Sequence, residues 1–245
     1  MPYELLSFAN ADELAKSAAA DWLSALRKRG NANGRKYTVA LSGGRIAKTL
    51  FSEIARLVEK TPNASPASPL FQDIHFFWGD ERCVPPTDPE SNYAIARQLL
   101  LEPLKIPAGQ IHRLRGEGPE ALALTDAVRD ITSVAPVVKG QPVLDLIFLG
   151  MGEDGHVASL FPGEPDEVLR NDAVYRAVTA VKPPPRRITL GYAAIAAATE
   201  VWVIASGAGK EGALKESLSP GGKTPLARVL HSRTQTKVLT DIKAG

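Results

Sequence analysis

Apolar positions in this chain recur in two rhythms that alternate from one end to the other. Short, nearly unbroken apolar runs at Tyr37–Leu41, Ile74–Trp78, Leu144–Leu149 and Val201–Ala205 predict strands buried on both faces of a parallel sheet. Between them the apolar residues fall three and four apart, which predicts helices. One carries Leu14, Ala18, Trp22 and Leu26 behind a cap at Asn10 and ends at Gly30–Gly34; a second carries Ile46, Leu50, Ile54 and Leu57. Others run from a Ser91 cap to Leu100, from Pro119 to Val134, over Tyr192–Ala198, and near Pro225–Leu230. Further strands are expected at Tyr3–Phe8, Ile111–Leu114, Val174–Val181 (half-exposed) and Thr236–Thr240. Strands and helices alternate throughout, so the expected fold is α/β: a mostly parallel, doubly wound, Rossmann-like sheet with helices on both faces, in a single domain over residues 1–245. Thr61–Leu70, rich in proline, serine and alanine, reads as a surface loop and not a linker, because the apolar pattern resumes at once.

Several strand ends carry chemistry. The stretch from Asp145 to Pro162 joins apolar strand, glycine-rich turn, acid, histidine and short helix without a gap. Gly150, Gly152 and Gly155 allow a tight turn and close approach to a ligand. His156 is then expected just past the carboxyl end of a central strand, where open α/β sheets bind ligands. A lone histidine is more often structural or solvated; this position reverses those odds. Tyr37–Leu41 runs into Ser42-Gly43-Gly44-Arg45 and a helix, whose free N–H groups suit a phosphate, although two glycines equally suit a plain turn. Ile74–Trp78 runs into the charged cluster Asp80-Glu81-Arg82, which serves either as a salt-bridged strand terminus or as site chemistry. Pro183-Pro184-Pro185 fixes the approach to Arg186 and Arg187. Ser206–Gly209 opens a helix with Lys210 in its first turn, an unfavourable place for a cation unless an anion sits beside it. His75 reads as a core or sheet-face residue, and His112 has no evident partner. One rim thus collects Gly43, Gly44, Arg45, Arg82, His156, Arg187 and Lys210, which implies a phosphorylated substrate held by its phosphate while the histidine acts elsewhere on it.

Composition narrows the classes. The 245 residues are 44% hydrophobic and 23% charged, with a net charge of +2. The cations are scattered among 27 acids, which argues against nucleic-acid binding and remains compatible with a small anion. Cys83 is the single cysteine, so an internal disulfide framework and a cysteine-based metal cluster are excluded, and a reducing cytoplasm is expected. No apolar stretch is long enough to span a bilayer, and Met1–Leu6 has no features of a secretion signal, so no membrane association is expected.

The motifs resemble the glucosamine-6-phosphate isomerase/6-phosphogluconolactonase family, and within it the lactonases. The resemblance rests on Ser42-Gly43-Gly44, Trp78–Arg82 with Val84-Pro85 and Ser91-Asn92-Tyr93, Leu149–Gly163, Pro183–Thr189 and Gly207–Lys210, in family order over about two-thirds of the chain. It implies hydrolysis of 6-phospho-D-glucono-1,5-lactone to 6-phosphogluconate in the oxidative pentose phosphate pathway, with no metal or organic cofactor, by a monomer or weak homodimer. It casts His156 as the base that activates water, contributing roughly 10²–10⁴-fold; imidazole ordinarily titrates near about 6.5 and so has a neutral fraction at pH 7. Asp154 or another nearby acid orients its ring. Arg82 stabilises an oxyanion or grips a hydroxyl, and Asp80 belongs with the substrate-binding groups. Gly43, Gly44, Arg45, Arg187 and Lys210 are the phosphate candidates, Arg187 being favoured over Arg186. The chain departs from the family in Arg45-Ile46-Ala47, where many members have Ser-Thr-Pro, so a cation replaces a hydroxyl.

Three other readings compete. A glucosamine-6-phosphate deaminase would carry a glutamate where this chain has Phe161. A non-catalytic phosphosugar sensor attached to a DNA-binding module would need a helix-turn-helix, and the first forty residues hold one clear helix. Cys83 as a nucleophile has no base beside it in sequence.

Overall fold

In the computed structural model, residues 3–30, 34–60 and 69–243 are described; most of the Thr61–Leu70 segment and of the Gly30–Gly34 helix end lies outside them. The elements in order are β1 (Glu4–Ser7), α1 (Ala11–Arg29), β2 (Tyr37–Leu41), α2 (Arg45–Glu59), β3 (Ile74–Trp78), β4 (Asp80–Arg82), α3 (Asn92–Ala96), α4 (Glu120–Val134), β5 (Val137–Val138), β6 (Gln141–Pro142), β7 (Leu146–Gly150), α5 (Asp166–Leu169), β8 (Tyr175–Thr179), β9 (Arg186–Leu190), α6 (Tyr192–Ala197), β10 (Glu200–Ala205), α7 (Glu211–Leu218), α8 (Pro225–His231) and β11 (Thr236–Thr240).

Six strands form the main sheet in the order β1-β11-β10-β7-β2-β3, and every pairing in it is parallel. The central strands β2, β3, β7 and β10 are largely apolar on both faces because helices cover the sheet; Val39, Ala40, Leu41, Phe76, Trp78, Ile147 and Val203 are all buried. The helices form where the sequence supplies both a stripe and a cap. At α1 the Asn10 side chain accepts a hydrogen bond from the Glu13 N–H at 2.9 Å, acids occupy the first turn, and Arg27, Lys28 and Arg29 the last. Its buried stripe brings Trp22 edge-on to Phe148, with ring centroids 5.5 Å apart.

From β2 the chain moves to β3 on one side, whereas from β7 it proceeds through β10 and β11 on the other. A ligand-binding crevice is expected where the winding reverses in this way. β2 and β7 share only two register pairs, Val39 with Leu146 and Ala40 with Ile147. Their lower ends are tied by Asp145, whose carboxylate accepts from the Thr38 N–H at 2.9 Å and the Thr38 hydroxyl at 3.0 Å and also pairs with Arg35. The pair is therefore fastened at its base by a side chain as well as by the ladder.

Strict alternation of strand and helix does not hold throughout. β4 follows β3 after one residue, and β8 leads directly into β9; these three form a separate antiparallel sheet in the order β4-β9-β8. The short helix expected after His156 is absent. The chain instead turns, with a bridge between Val157 and Leu160, and the next helix is α5, four residues long. The helix from Ser91 continues beyond α3 as a π-type turn over Arg97–Leu101, closed by the Glu102 N–H on the Arg97 carbonyl at 2.9 Å. Ile111–Leu114 contributes one bridge, Ile111 to Phe76, rather than a strand. Among the described residues no helix is long and apolar enough to cross a membrane.

His112 has a partner that its sequence neighbourhood does not reveal. Its Nε2 lies 2.8 Å from Nδ1 of His75 on β3, and its ring stacks on Phe77 with centroids 4.5 Å apart. Burial and the neighbouring His112 push the His75 pKa down to about 4, and burial lowers His112 as well. For a base depressed in the fold, the unfolded chain binds more protons on acidification. The stability this pair contributes is present above the ordinary imidazole value and is lost as pH falls from about 6.5 toward 4. Urea midpoints measured across that interval are expected to fall, and to fall less steeply in His75→Gln, which takes up no proton there; equal slopes would refute this account.

Candidate active site

A cleft of about 340 Å³ opens at the carboxyl ends of β2 and β7. Its walls bring together nearly every residue singled out from the sequence: Gly43, Gly44, Arg45, Asp80, Arg82, His156, Arg187 and Lys210. Asp154 is the exception; it reaches the site through His156.

His156 stands in the turn after β7, its side chain about a quarter exposed. Its Nδ1 lies 2.5 Å from Asp154 Oδ1, and the same oxygen accepts the His156 backbone N–H at 3.1 Å. Burial pushes the Asp154 carboxyl up, but the bonds from the His156 ring and backbone outweigh it and hold the group below its ordinary value. A carboxylate on Nδ1 fixes the proton there and leaves Nε2 as the acceptor. Two neighbours place the ring. Gly152 lies under it, so close that a Cβ at that position would come within 2.1 Å of the imidazole. Phe161 packs against it with centroids 5.0 Å apart.

The cations reach the cleft from separate elements. Arg45 begins α2, directly after the Ser42–Gly44 turn. Lys210 sits at the N-cap of α7 and not within its first turn; its ammonium crosses to the Met151 carbonyl at 2.6 Å. Burial, and then the charge of Arg45, lower the Lys210 pKa against the opposing pull of Glu153 and Asp241. Arg187 is 6% exposed, and its guanidinium is held by the carbonyls of Pro184 at 3.0 Å and Lys182 at 3.1 Å, so the proline segment aims it. Burial and the nearby Arg82 lower its pKa, with Asp80 and Glu90 opposing. Arg186, the adjacent candidate, points away and lies 3.7 Å from Glu120. Arg82 bonds the Glu90 carbonyl at 2.7 Å and lies 3.5 Å from its carboxylate. Among the described residues no carboxylate lies within ion-pair distance of Arg45, Arg187 or Lys210. Like charges gathered in a partly dry cleft raise each other's cost, and a bound anion offsets it.

Behind this rim lies a polar layer that the sequence motifs contained but did not explain. Glu81, 3% exposed, accepts the backbone N–H groups of Arg82, Asn92 and Tyr93 and the Ser91 hydroxyl, all at 2.7–3.0 Å. It is thus a carboxylate cap on α3 and lies outside the cleft lining. Asn92 donates to the Asp80 carbonyl at 2.9 Å, and its carboxamide fills the space where a Gly43 Cβ would stand, 1.9 Å from Oδ1. Ser206 and the Gly207 N–H are both held by Asp241. The only available signal was a short polar residue beside a glycine turn, which is common in any sequence. Cys83 is partly buried, and burial pushes its thiol up, which disfavours the thiolate a nucleophile requires. Among the described residues no three His, Cys, Asp or Glu side chains are grouped as metal ligands would be.

Fold and cleft together define an α/β protein of the doubly wound kind whose switch-point crevice joins one carboxylate-oriented imidazole to a field of unpaired cations. Residues 9–239 match the family described as glucosamine-6-phosphate isomerases/6-phosphogluconolactonase, and the chain belongs to that family. An Oryza sativa protein described as probable 6-phosphogluconolactonase 3, chloroplastic, is 36% identical over 217 residues, 86% of this chain and 64% of that protein's own length. A Haemophilus influenzae 6-phosphogluconolactonase is 38% identical over 180 residues, 73% of this chain and 72% of the relative. The solved 6-phosphogluconolactonase of Trypanosoma brucei superposes with a TM-score of 0.81 at 27% identity, covering 97% of this chain and 95% of that one.

The packing against Gly43 yields a direct expectation. Gly43→Ala forces the Asn92 carboxamide to move, an overpacking that costs typically about 1–3 kcal/mol. Urea unfolding is expected to register that loss, and Asn92→Ala in the same chain to recover part of it. A Gly43→Ala protein as stable as the parent would show that the turn has room to spare.

Proposed function

We propose that this protein hydrolyses 6-phospho-D-glucono-1,5-lactone to 6-phospho-D-gluconate, the lactone-opening step of the oxidative pentose phosphate pathway. The observation that carries the reading is the His156–Asp154 pair facing three cations that, among the described residues, have no carboxylate within ion-pair distance. The names of the relatives point the same way.

The lactone is an ester that already carries a good electrophile, so one positioned base is enough chemistry. His156 Nε2 takes a proton from water as the water oxygen attacks the carbonyl carbon. Asp154 stabilises the imidazolium that forms and keeps the proton on Nδ1. The negative charge on the former carbonyl oxygen is met by Arg82, placed before the reaction begins. As the tetrahedral intermediate collapses, the ring carbon–oxygen bond breaks and the imidazolium returns its proton to the departing ring oxygen, leaving the sugar acid. Arg45, Arg187, Lys210 and the N–H groups of Gly43 and Gly44 hold the phosphate, and Asp80 accepts from the sugar. The reaction needs one domain, acting as a monomer or weak homodimer, with the phosphosugar lactone and water as its reactants.

Deamination of glucosamine 6-phosphate is disfavoured by Phe161. Where a proton-carrying glutamate would be needed, a phenyl ring lies against His156 and under the Arg187 guanidinium, 5.6 Å from it.

The decisive experiment follows acid release from freshly generated lactone, corrected for spontaneous hydrolysis. His156→Ala is expected to lower kcat roughly 10²–10⁴-fold. Arg45→Ala is expected to raise KM while leaving kcat nearly unchanged, as for a contact made equally in ground and transition states. Wild-type protein that does not exceed the spontaneous rate sinks the assignment; an unchanged KM in Arg45→Ala removes Arg45 from the phosphate site.

A further inference from the structure

Asp80 is the only carboxylate among the described residues lining the cleft. It is 5% exposed, and both its oxygens are engaged from behind: Oδ2 accepts the Ser159 hydroxyl at 2.7 Å, and Oδ1 lies 3.2 Å from the Asn92 amide nitrogen. Ser159 is fully buried and does not line the cleft. Its own backbone N–H is fixed on the hydroxyl of Thr189 at 3.2 Å, and Thr189 pairs with Asp80 across β9 and β4. Ser159 is also three residues from His156, and between them Ala158 holds a left-handed backbone at φ 50°, a conformation that persists only where its surroundings enforce it. One buried hydroxyl thus joins the turn that carries the base to the strand that carries Arg82.

We propose that Ser159 is a positioning residue that acts through Asp80. By donating to Oδ2 it locks the carboxylate in the rotamer that presents its remaining lone pairs to the cleft, where they accept hydroxyl groups of the sugar. The role goes beyond the hydrolysis proposed above and rests on it. A serine hydroxyl has one proton to give, and here it is directed at Asp80, so the lock has a defined direction. An aspartate free to rotate among cations would turn toward Arg187 or Arg82 and leave the hydroxyls of the substrate unmet. The lock therefore sets recognition of the sugar and leaves recognition of the phosphate to the cations.

The test combines a double-mutant cycle with a binding comparison. Ser159→Ala is expected to lower kcat/KM by about tenfold or more, the loss typical of a hydrogen bond to a charged group. In an Asp80→Asn background the same change is expected to cost less than about twofold, because the group it acts on is already altered. Calorimetric titration supplies a readout that a merely structural role would not move: Ser159→Ala weakens binding of 6-phosphogluconate but leaves binding of inorganic phosphate unchanged. Ser159→Cys, which keeps the volume but donates weakly, falls between parent and alanine and serves if the alanine variant folds poorly. Equal losses in both backgrounds, or parallel weakening of both ligands, overturn the proposal. A wild-type protein that binds the sugar acid selectively without opening the lactone would instead overturn the reaction while leaving the lock standing.

Discussion

The site depends on the way β2 and β7 are paired. Two adjacent parallel strands whose connections run to opposite sides leave a gap beyond their carboxyl ends, where a ligand can enter. Here the register covers two residue pairs, and Asp145, taking both the N–H and the hydroxyl of Thr38, pins the pair at its base. Beyond the pin, the segment after β2 passes into α2 and the segment after β7 turns through His156, so backbone N–H groups and an imidazole face the same gap. The opposite winding on the two sides of this pair is the physical origin of the crevice.

Electrostatics then decides what the gap receives. Arg45, Arg187 and Lys210 approach from three different elements, and burial lowers the pKa of both Arg187 and Lys210. Each cation taken from water carries a desolvation cost that carbonyl contacts such as those of Met151, Pro184 and Lys182 offset only in part. The arrangement makes sense as one half of an ion pair whose other half is a ligand. Among the described residues of the cleft wall, Asp80 is the one acid set against these cations.

Order in the site comes from packing and hydrogen bonds within the protein itself. The Glu81 carboxylate is pushed up by burial, and four donors work against that push. The result joins β4 to the start of α3 and places Asn92 against Gly43 and Asp80. Gly152 permits the imidazole to lie on the backbone itself, and Phe161 closes the other side. A side chain confined in this way loses little freedom on meeting a ligand, the condition for action by position.

Local chemistry in the sequence determined the elements whose causes are local. The buried strands at Tyr37–Leu41 and Ile74–Trp78 and the capped helix after Asn10 follow from apolar period and capping residues, and the glycine turns at the strand ends follow from the same logic. Of the two adjacent arginines, Arg187, which directly precedes Ile188-Thr189, lines the cleft and Arg186 does not. What depends on distant partners was not readable. The pairing of His75 with His112, the departure of β4, β8 and β9 from the main sheet, the absence of a helix after His156 and the hold of Ser159 on Asp80 across 79 positions all arise from contacts between residues far apart in the chain. A sequence states which groups are available and what each segment prefers to do. Tertiary packing alone decides which of them share a low-dielectric space, and it is there that a hydrogen bond or an unpaired charge acquires its strength.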